Sequence, residues 1–176
     1  MKKRLIWIVV LGILGLAADQ GSKIWARDTL KGQPSITLIQ DYLYLEYHEN
    51  PGSAFGLLRS VPGARYILIG VGLLALILVW SMIRKVEHRR TMGDIAFALV
   101  AGGAVGNLID RIYIGRVVDF VVMHWQHSFI WPAYNVADAL LVVGVALMIL
   151  VLGRAPDGAK APARPRSAKG KKKKAR

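Results

Sequence analysis

Residues 92–122 read MGDIAFALVAGGAVGNLIDRIYIGRVVDFVV. The run from about Met92 to Tyr113 is apolar and close to the roughly 20 residues that a helix needs to cross about 30 Å of hydrocarbon. Gly93, Ala96, Gly102, Gly103 and Gly106 give it a surface on which other helices can approach closely. Its last turns carry Asn107, Asp110 and Arg111, and Asp119 follows in GRVVDFVV. A second acid, Asp138, lies one turn into the apolar run YNVADALLVVG. Carboxylates this close to hydrocarbon are costly unless paired or facing a polar cavity, which makes them functional candidates. Two of them converging near one face of the bilayer point to acid–base chemistry on a scissile bond.

Outward from this stretch, three further apolar runs cover about residues 5–25, 66–83 and 134–152. With 92–113 they predict an all-α polytopic membrane protein of four transmembrane helices. Residues 1–153 form the membrane domain. The chain has 176 residues, 54% of them hydrophobic, and no cysteine. Disulfides, thiolate nucleophiles and cysteine–zinc sites are therefore excluded. A net charge of +13 would suggest nucleic acid in a soluble protein. Here the basic residues gather at Lys2–Arg4, in Arg84, Lys85, Arg89 and Arg90, and in the tail 154–176. With four spans these segments share one side, which the excess of Lys and Arg makes cytoplasmic, both termini included. Trp25, Trp125 and Trp131 fit an outer aromatic belt.

The opening MKKR, apolar run and LAAD also resemble a cleavable secretory signal peptide. Three more spans with a matching charge pattern favour an uncleaved first helix. The outer loop, about 32–56, contains SITLIQDYLYLEYHEN, whose β-branched and aromatic residues with partial alternation predict one or two short strands closed by Pro51-Gly52. GLLRSVPGARY after it reads as an interfacial segment. The Pro-, Ala- and Lys-rich tail has no apolar periodicity and reads as disordered, its charge fixing topology and touching anionic lipid. Binding of the tail to RNA is the lesser alternative, and no nucleic-acid partner is expected.

Depth follows from a rise of about 1.5 Å per residue. Asp19 sits about 21 Å above the cytoplasmic edge, and Asp138 about 6 Å below the outer one. Asn50, Asn107, Asp110 and Asp119 lie with them in or above the outer third of the bilayer. A transporter would spread its polar groups through the depth or centre them at the midplane. Plainer readings stand beside the functional ones. Asp19 and Lys23, four apart, form an intrahelical pair at the interface. Asp110 and Arg111 anchor a helix end, Asn107 and Asn135 cap or cross-link helices, and Asp119 and Asp138 are solvated interfacial acids. His124 and His127 form only a bare HxxH, and HEN at 48–50 lacks the second His of a zinc helix; no metal or cofactor is expected. A proton-coupled transporter and a non-enzymatic assembly factor remain as alternatives to an enzyme.

Four blocks carry a family resemblance: DQGSK at 19–23, NPGSAFGLL at 50–58, GGAVGNLIDRIYIGRVVDF at 102–120 and YNVADALLVVG at 134–144. In order and spacing the chain resembles bacterial lipoprotein signal peptidase (signal peptidase II) over about residues 5–153. Tyr134 stands where that family often has Phe. The resemblance implies an intramembrane aspartyl endopeptidase of the bacterial inner membrane with its site near the outer leaflet. Its substrates would be diacylglyceryl-modified prolipoproteins, cut on the amino side of the lipid-modified cysteine. Asp119 and Asp138 match the catalytic dyad. Asp19, Asn50, Gly52, Asn107, Arg111 and Asn135 match positions that support the site and hold substrate, and Lys23 and Asp110 join that set. Partners are the lipid-modified substrate and membrane lipids, and an oligomer is not required. The 50–58 loop is expected to act as a lid over the cleft.

Overall fold

A computed structural model describes residues 2–52, 58, 61–85, 91–125 and 129–153. The elements run α1 (Lys2–Leu30), β1 (Ile36–Ile39), β2 (Leu43–Asn50), α2 (Ala64–Lys85), α3 (Thr91–Tyr113), β3 (Val117–Trp125), β4 (Phe129–Tyr134) and α4 (Val136–Leu152). Three helices, α1, α2 and α3, are long and apolar enough to cross a membrane. α4 is apolar but has 17 residues, about 25 Å at 1.5 Å per residue. The helical frame matches the apolar runs, with α1 continuing five residues past Trp25 to Leu30.

α3 is the hub. Gly102 faces the backbone of Gly12 and Leu16 on α1, and Gly103 faces the carbonyl of Ala137 on α4. These contacts close the helices to backbone distance, where dispersion and weak hydrogen bonds replace the hydrophobic effect that lipid cannot supply. At the basic end Arg4 Nε donates to Asp94 Oδ1 at 2.6 Å and Arg4 Nη1 to the Ile83 carbonyl at 3.2 Å, tying α1, α3 and the end of α2. An apolar core of Ile8, Val79, Phe97, Ala98 and Val100 lies just inside this clamp.

The sheet is antiparallel with order β1-β2-β3-β4. The strands expected in 32–56 are β1 and β2, Ile36 opposite Leu45. β3 and β4 lie between α3 and α4, outside the loop about 32–56 for which the sequence predicts strands. β3 starts with four consecutive buried residues, Val117–Phe120, so it lacks the alternation that announces a half-exposed strand. Ala26 and Leu30 of α1 pack with Val118 and Phe120, and the Trp25 and Phe120 rings meet edge to face at 6.2 Å. That second core seats β3 on the outer end of α1. Residues 53–57 of the expected lid, part of the interfacial segment, part of the basic connection, His127 and the tail lie outside the described residues.

Candidate active site

The chain delivers Asp119 and Asp138 to one place by two local devices. α3 ends at Tyr113, and the turn that follows passes through Gly115, whose φ of +85° suits glycine. The Ile114 and Gly115 N–H groups both donate to the Asp110 carbonyl, at 2.8 and 3.1 Å. The chain then turns directly into β3, where the Asp110 carboxylate accepts from Val118 N at 3.2 Å. Asp119 is thereby fixed one residue further on, and only 1% of it is exposed. Asp138 occupies the third position of α4, behind the N-cap Asn135. Asn135 Oδ1 accepts from Asp138 N at 3.0 Å, and Asp138 Oδ2 accepts from Asn135 N at 3.3 Å. This is a capping box, and it places the carboxylate at the positive end of the helix dipole.

The capping box accounts for one oxygen of Asp138. Its other oxygen, Oδ1, accepts from Asn107 Nδ2 on α3 at 2.7 Å. Asp119 Oδ1 accepts from Asn135 Nδ2 at 2.6 Å, and its Oδ2 from Asn50 Nδ2 at the end of β2 at 2.9 Å. Asn50 is held in turn by Gly52 N, which donates to Asn50 Oδ1 at 3.0 Å. Thus all four carboxylate oxygens accept N–H donors, three of them from side-chain amides. Burial pushes the Asp119 carboxyl up to about 7, opposed by the hydrogen bond from Asn50 and reinforced by the nearby charge of Asp138.

Beneath the two acids lies a buried ion cluster. Lys23 Nζ is 3.0 Å from Asp19 Oδ2 and 3.0 Å from Asp110 Oδ2, with no side-chain exposure in any of the three. The i, i+4 pair expected within α1 is there, but it lies in the protein interior and not at an interface, because Asp110 of α3 closes over it. Asp19 Oδ1 also accepts from Ala137 N of α4 at 2.9 Å, so the cluster joins α1, α3 and α4. Arg111 donates Nη1 to the Asn107 carbonyl at 3.1 Å.

A cavity of about 590 Å³ opens above the acids. Asn50, Arg111, Asp119 and Asp138 line its polar end, while Met123, Trp131, Pro132, Tyr134, Leu141, Val142 and Val143 line its apolar wall. A second cavity of about 320 Å³, walled by Leu68, Val71, Ala75 and Leu108 on the α2 side, reaches Asn107, Arg111 and Asp138 from there. The eight supporting residues singled out in the sequence, Asp19, Lys23, Asn50, Gly52, Asn107, Asp110, Arg111 and Asn135, all fall in this one assembly.

Several neighbours were not foreseen. Gln20 Nε2 donates to Asp19 Oδ2 at 3.0 Å and to the Gly106 carbonyl at 3.2 Å. Glu49, next to Asn50, binds Lys31 at 3.1 Å, Arg116 at 3.0 Å and the Tyr47 hydroxyl at 3.0 Å. Burial and that bond push the Tyr47 hydroxyl up to about 12. The sequence signal for Gln20 and Glu49 is only adjacency to a motif residue. His124 packs its ring against Tyr44 at 4.7 Å, and among the described residues no cluster of three or more His, Cys, Asp or Glu is placed to hold a metal.

The family model described as Signal peptidase (SPase) II matches residues 11–153. The lipoprotein signal peptidase of Pseudomonas putida is 38% identical over 150 residues, covering 84% of this chain and 86% of that one. That of Symbiobacterium thermophilum is 38% identical over 144 residues, covering 82% and 92%. Two solved structures of a bacterial membrane enzyme, each 27% identical, superpose with TM-scores of 0.71 and 0.73, covering 82% of this chain and 86% and 91% of theirs. With family model, relatives and fold in agreement, the chain belongs to the signal peptidase II family, the bacterial membrane proteases that remove signal peptides from prolipoproteins.

Proposed function

We propose that this protein is an intramembrane aspartyl endopeptidase in which Asp119 and Asp138 are the catalytic dyad. Its substrate is a diacylglyceryl-modified prolipoprotein, cut on the amino side of the lipid-modified cysteine. The observation that carries the reading is that two carboxylates from separate elements, β3 and α4, face one cavity whose other wall is apolar. Two neighbouring carboxylates in a desolvated site do not both ionise easily, so the pair holds one proton at neutral pH. The ionised member takes a proton from water as the oxygen attacks the scissile carbonyl. The protonated member donates to the carbonyl oxygen, and a proton then passes to the departing amine. The pair titrates as a unit, so neither step belongs permanently to one aspartate. Asn50 and Arg111, at the polar end of the cavity, supply donors and a cation for the substrate backbone. The wall of Trp131, Pro132, Val142 and Val143 takes the apolar signal segment and lipid chains. α4 crosses the bilayer as a short fourth span, both termini face the cytoplasm, and the dyad works near the outer leaflet of the inner membrane.

The test is purified protein in detergent with a diacylglyceryl-modified prolipoprotein and no ion gradient. Mass spectrometry of the products is expected to find the lipid-modified cysteine as the new N-terminus. Cleavage elsewhere, or turnover that needs a proton gradient, would sink the proposal.

A further inference from the structure

We propose that Lys23 is a positioning residue of this peptidase: it pins the carbonyl of the Asn107 side chain and so turns the amide N–H of Asn107 onto Asp138. The proposal rests on reading Asp119 and Asp138 as the dyad.

A side-chain amide has a donor end and an acceptor end and can present either. Three such amides meet the dyad, and in each the acceptor end is held by a group that can only donate. Asn50 Oδ1 takes Gly52 N at 3.0 Å, and Asn135 Oδ1 takes Asp138 N at 3.0 Å. Asn107 Oδ1 takes Lys23 Nζ at 3.1 Å and, less closely, Asn135 Nδ2 at 3.3 Å, a group whose shorter bond goes to Asp119 Oδ1 at 2.6 Å. Two pins are backbone N–H groups, which only a proline would remove. The third is a side chain, and Lys23 has three N–H groups for three acceptors: Asn107 Oδ1, Asp19 Oδ2 and Asp110 Oδ2. With its acceptor end held, Asn107 can show Asp138 only its Nδ2, as it does at 2.7 Å.

Without Lys23, the Asn107 oxygen keeps only the longer bond from Asn135 Nδ2, and the amide can turn that oxygen toward Asp138 Oδ1. Two acceptors then face each other unless Asp138 carries a proton, so the turned amide favours a protonated Asp138. The groups that also act on Asp138 are Arg111 of α3, Asp119 of β3 and Lys23 itself from α1. A change in Lys23 therefore has to be made without a change in cluster charge. Lys23→Met with Asp19→Asn, and Lys23→Met with Asp110→Asn, each remove one positive and one negative charge together. In each, the new Asn retains an oxygen to accept the backbone N–H that the Asp held.

Both paired variants are to be purified, checked for monodispersity and thermal midpoint, and assayed against wild type over pH, alone and on an Asn107→Ala background. The expected result in folded protein is a kcat reduced about 10- to 100-fold with KM within about twofold, the scale of one lost charge-assisted hydrogen bond in the transition state. The pH–kcat limb that reports the ionised carboxylate moves up by about one unit. On the Asn107→Ala background the same changes cost less than about threefold, because the residue through which Lys23 acts is gone. Equal losses in both backgrounds, an unmoved pH limb, or a change confined to KM would overturn the proposal. Failure of both paired variants to fold would give Lys23 a purely structural role and overturn it as well. Activity in Asp119→Asn or Asp138→Asn in the same assay would instead remove the peptidase reading on which it stands.

Discussion

α2 and α3 have similar lengths and similar apolar content, and they are used in opposite ways. α3 buries eleven residues, among them Gly93, Gly102, Gly103, Gly106, Asn107 and Asp110. Of α2, Ala64 and Val79 are buried, while Tyr66, Ile77 and Leu78 are more than half exposed. A Cβ on Gly70 of α2 meets nothing within 4 Å, whereas a Cβ on Gly106 of α3 would overlap Asp19 Oδ2. In lipid, exposing Ile and Leu costs nothing, so hydrophobicity does not sort helices into core and rim. Small size and satisfied polarity do. α3 combines close backbone approach with the buried polar groups that this approach brings together, and the site is built at its outer end.

The contrast is open to direct tests, beginning with the largest effect. Gly106→Ala pushes the Asp19 carboxylate away from its place between Lys23 and Ala137 N. Activity is expected to fall more than about tenfold, and stability by about 2–4 kcal/mol. An unchanged thermal midpoint and rate would show that the close approach is not needed. Gly144→Ala on α4 meets Val100 Cγ2 at 2.7 Å and the Ala96 carbonyl at 3.1 Å. A loss of about 1–3 kcal/mol in thermal or denaturant unfolding is expected there, with a smaller effect on rate because the contact is far from the acids.

pH gives an intermediate test. Asp119 is pushed up to about 7 in the folded protein, above about 3.9 for a free aspartate. The native state thus holds a proton that the unfolded chain has lost. Its stability contribution is complete below about pH 4 and is lost as pH rises through about 7. The thermal midpoint of Asp119→Asn, measured against wild type, is expected to gain on it from about pH 4 to about pH 7 and then to hold level. A constant difference over that range would argue against a buried acid there. The smallest effect belongs to α2. Gly70→Ala is expected to be neutral or to stabilise by up to about 1 kcal/mol, since the added methyl meets open space and alanine favours helix. A large loss of activity would mean that α2 has a partner on that face.

These same contrasts mark what the sequence could tell. The apolar runs locate all four helices to within a few residues, because length and hydropathy are local properties. Asp119 and Asp138 stand out because ionised groups beside apolar runs are rare. β3 is hidden for a related reason. Val117–Phe120 are all buried, and a short continuous apolar run has no period to distinguish it from the end of a helix. The burial of Lys23 is hidden because a four-residue spacing to Asp19 fits a surface pair equally well. The residue that makes it interior, Asp110, is 87 positions away along the chain, with its carboxylate 3.0 Å from Lys23. Asn135 is legible as an N-cap from its place before an apolar run, with an acid three residues on. Its second bond, to Asp119 on a neighbouring strand, exists only once the sheet has formed.

The most direct test of the dyad is cleavage of a diacylglyceryl-modified prolipoprotein by wild type, Asp119→Asn and Asp138→Asn, each verified as folded and monodisperse. Asparagine preserves shape and keeps one acceptor oxygen but cannot exchange a proton. The account predicts turnover by wild type and a loss of at least about 10³-fold in each variant, with KM little changed where residual activity permits its measurement. Turnover near the wild-type rate in either folded variant would contradict it.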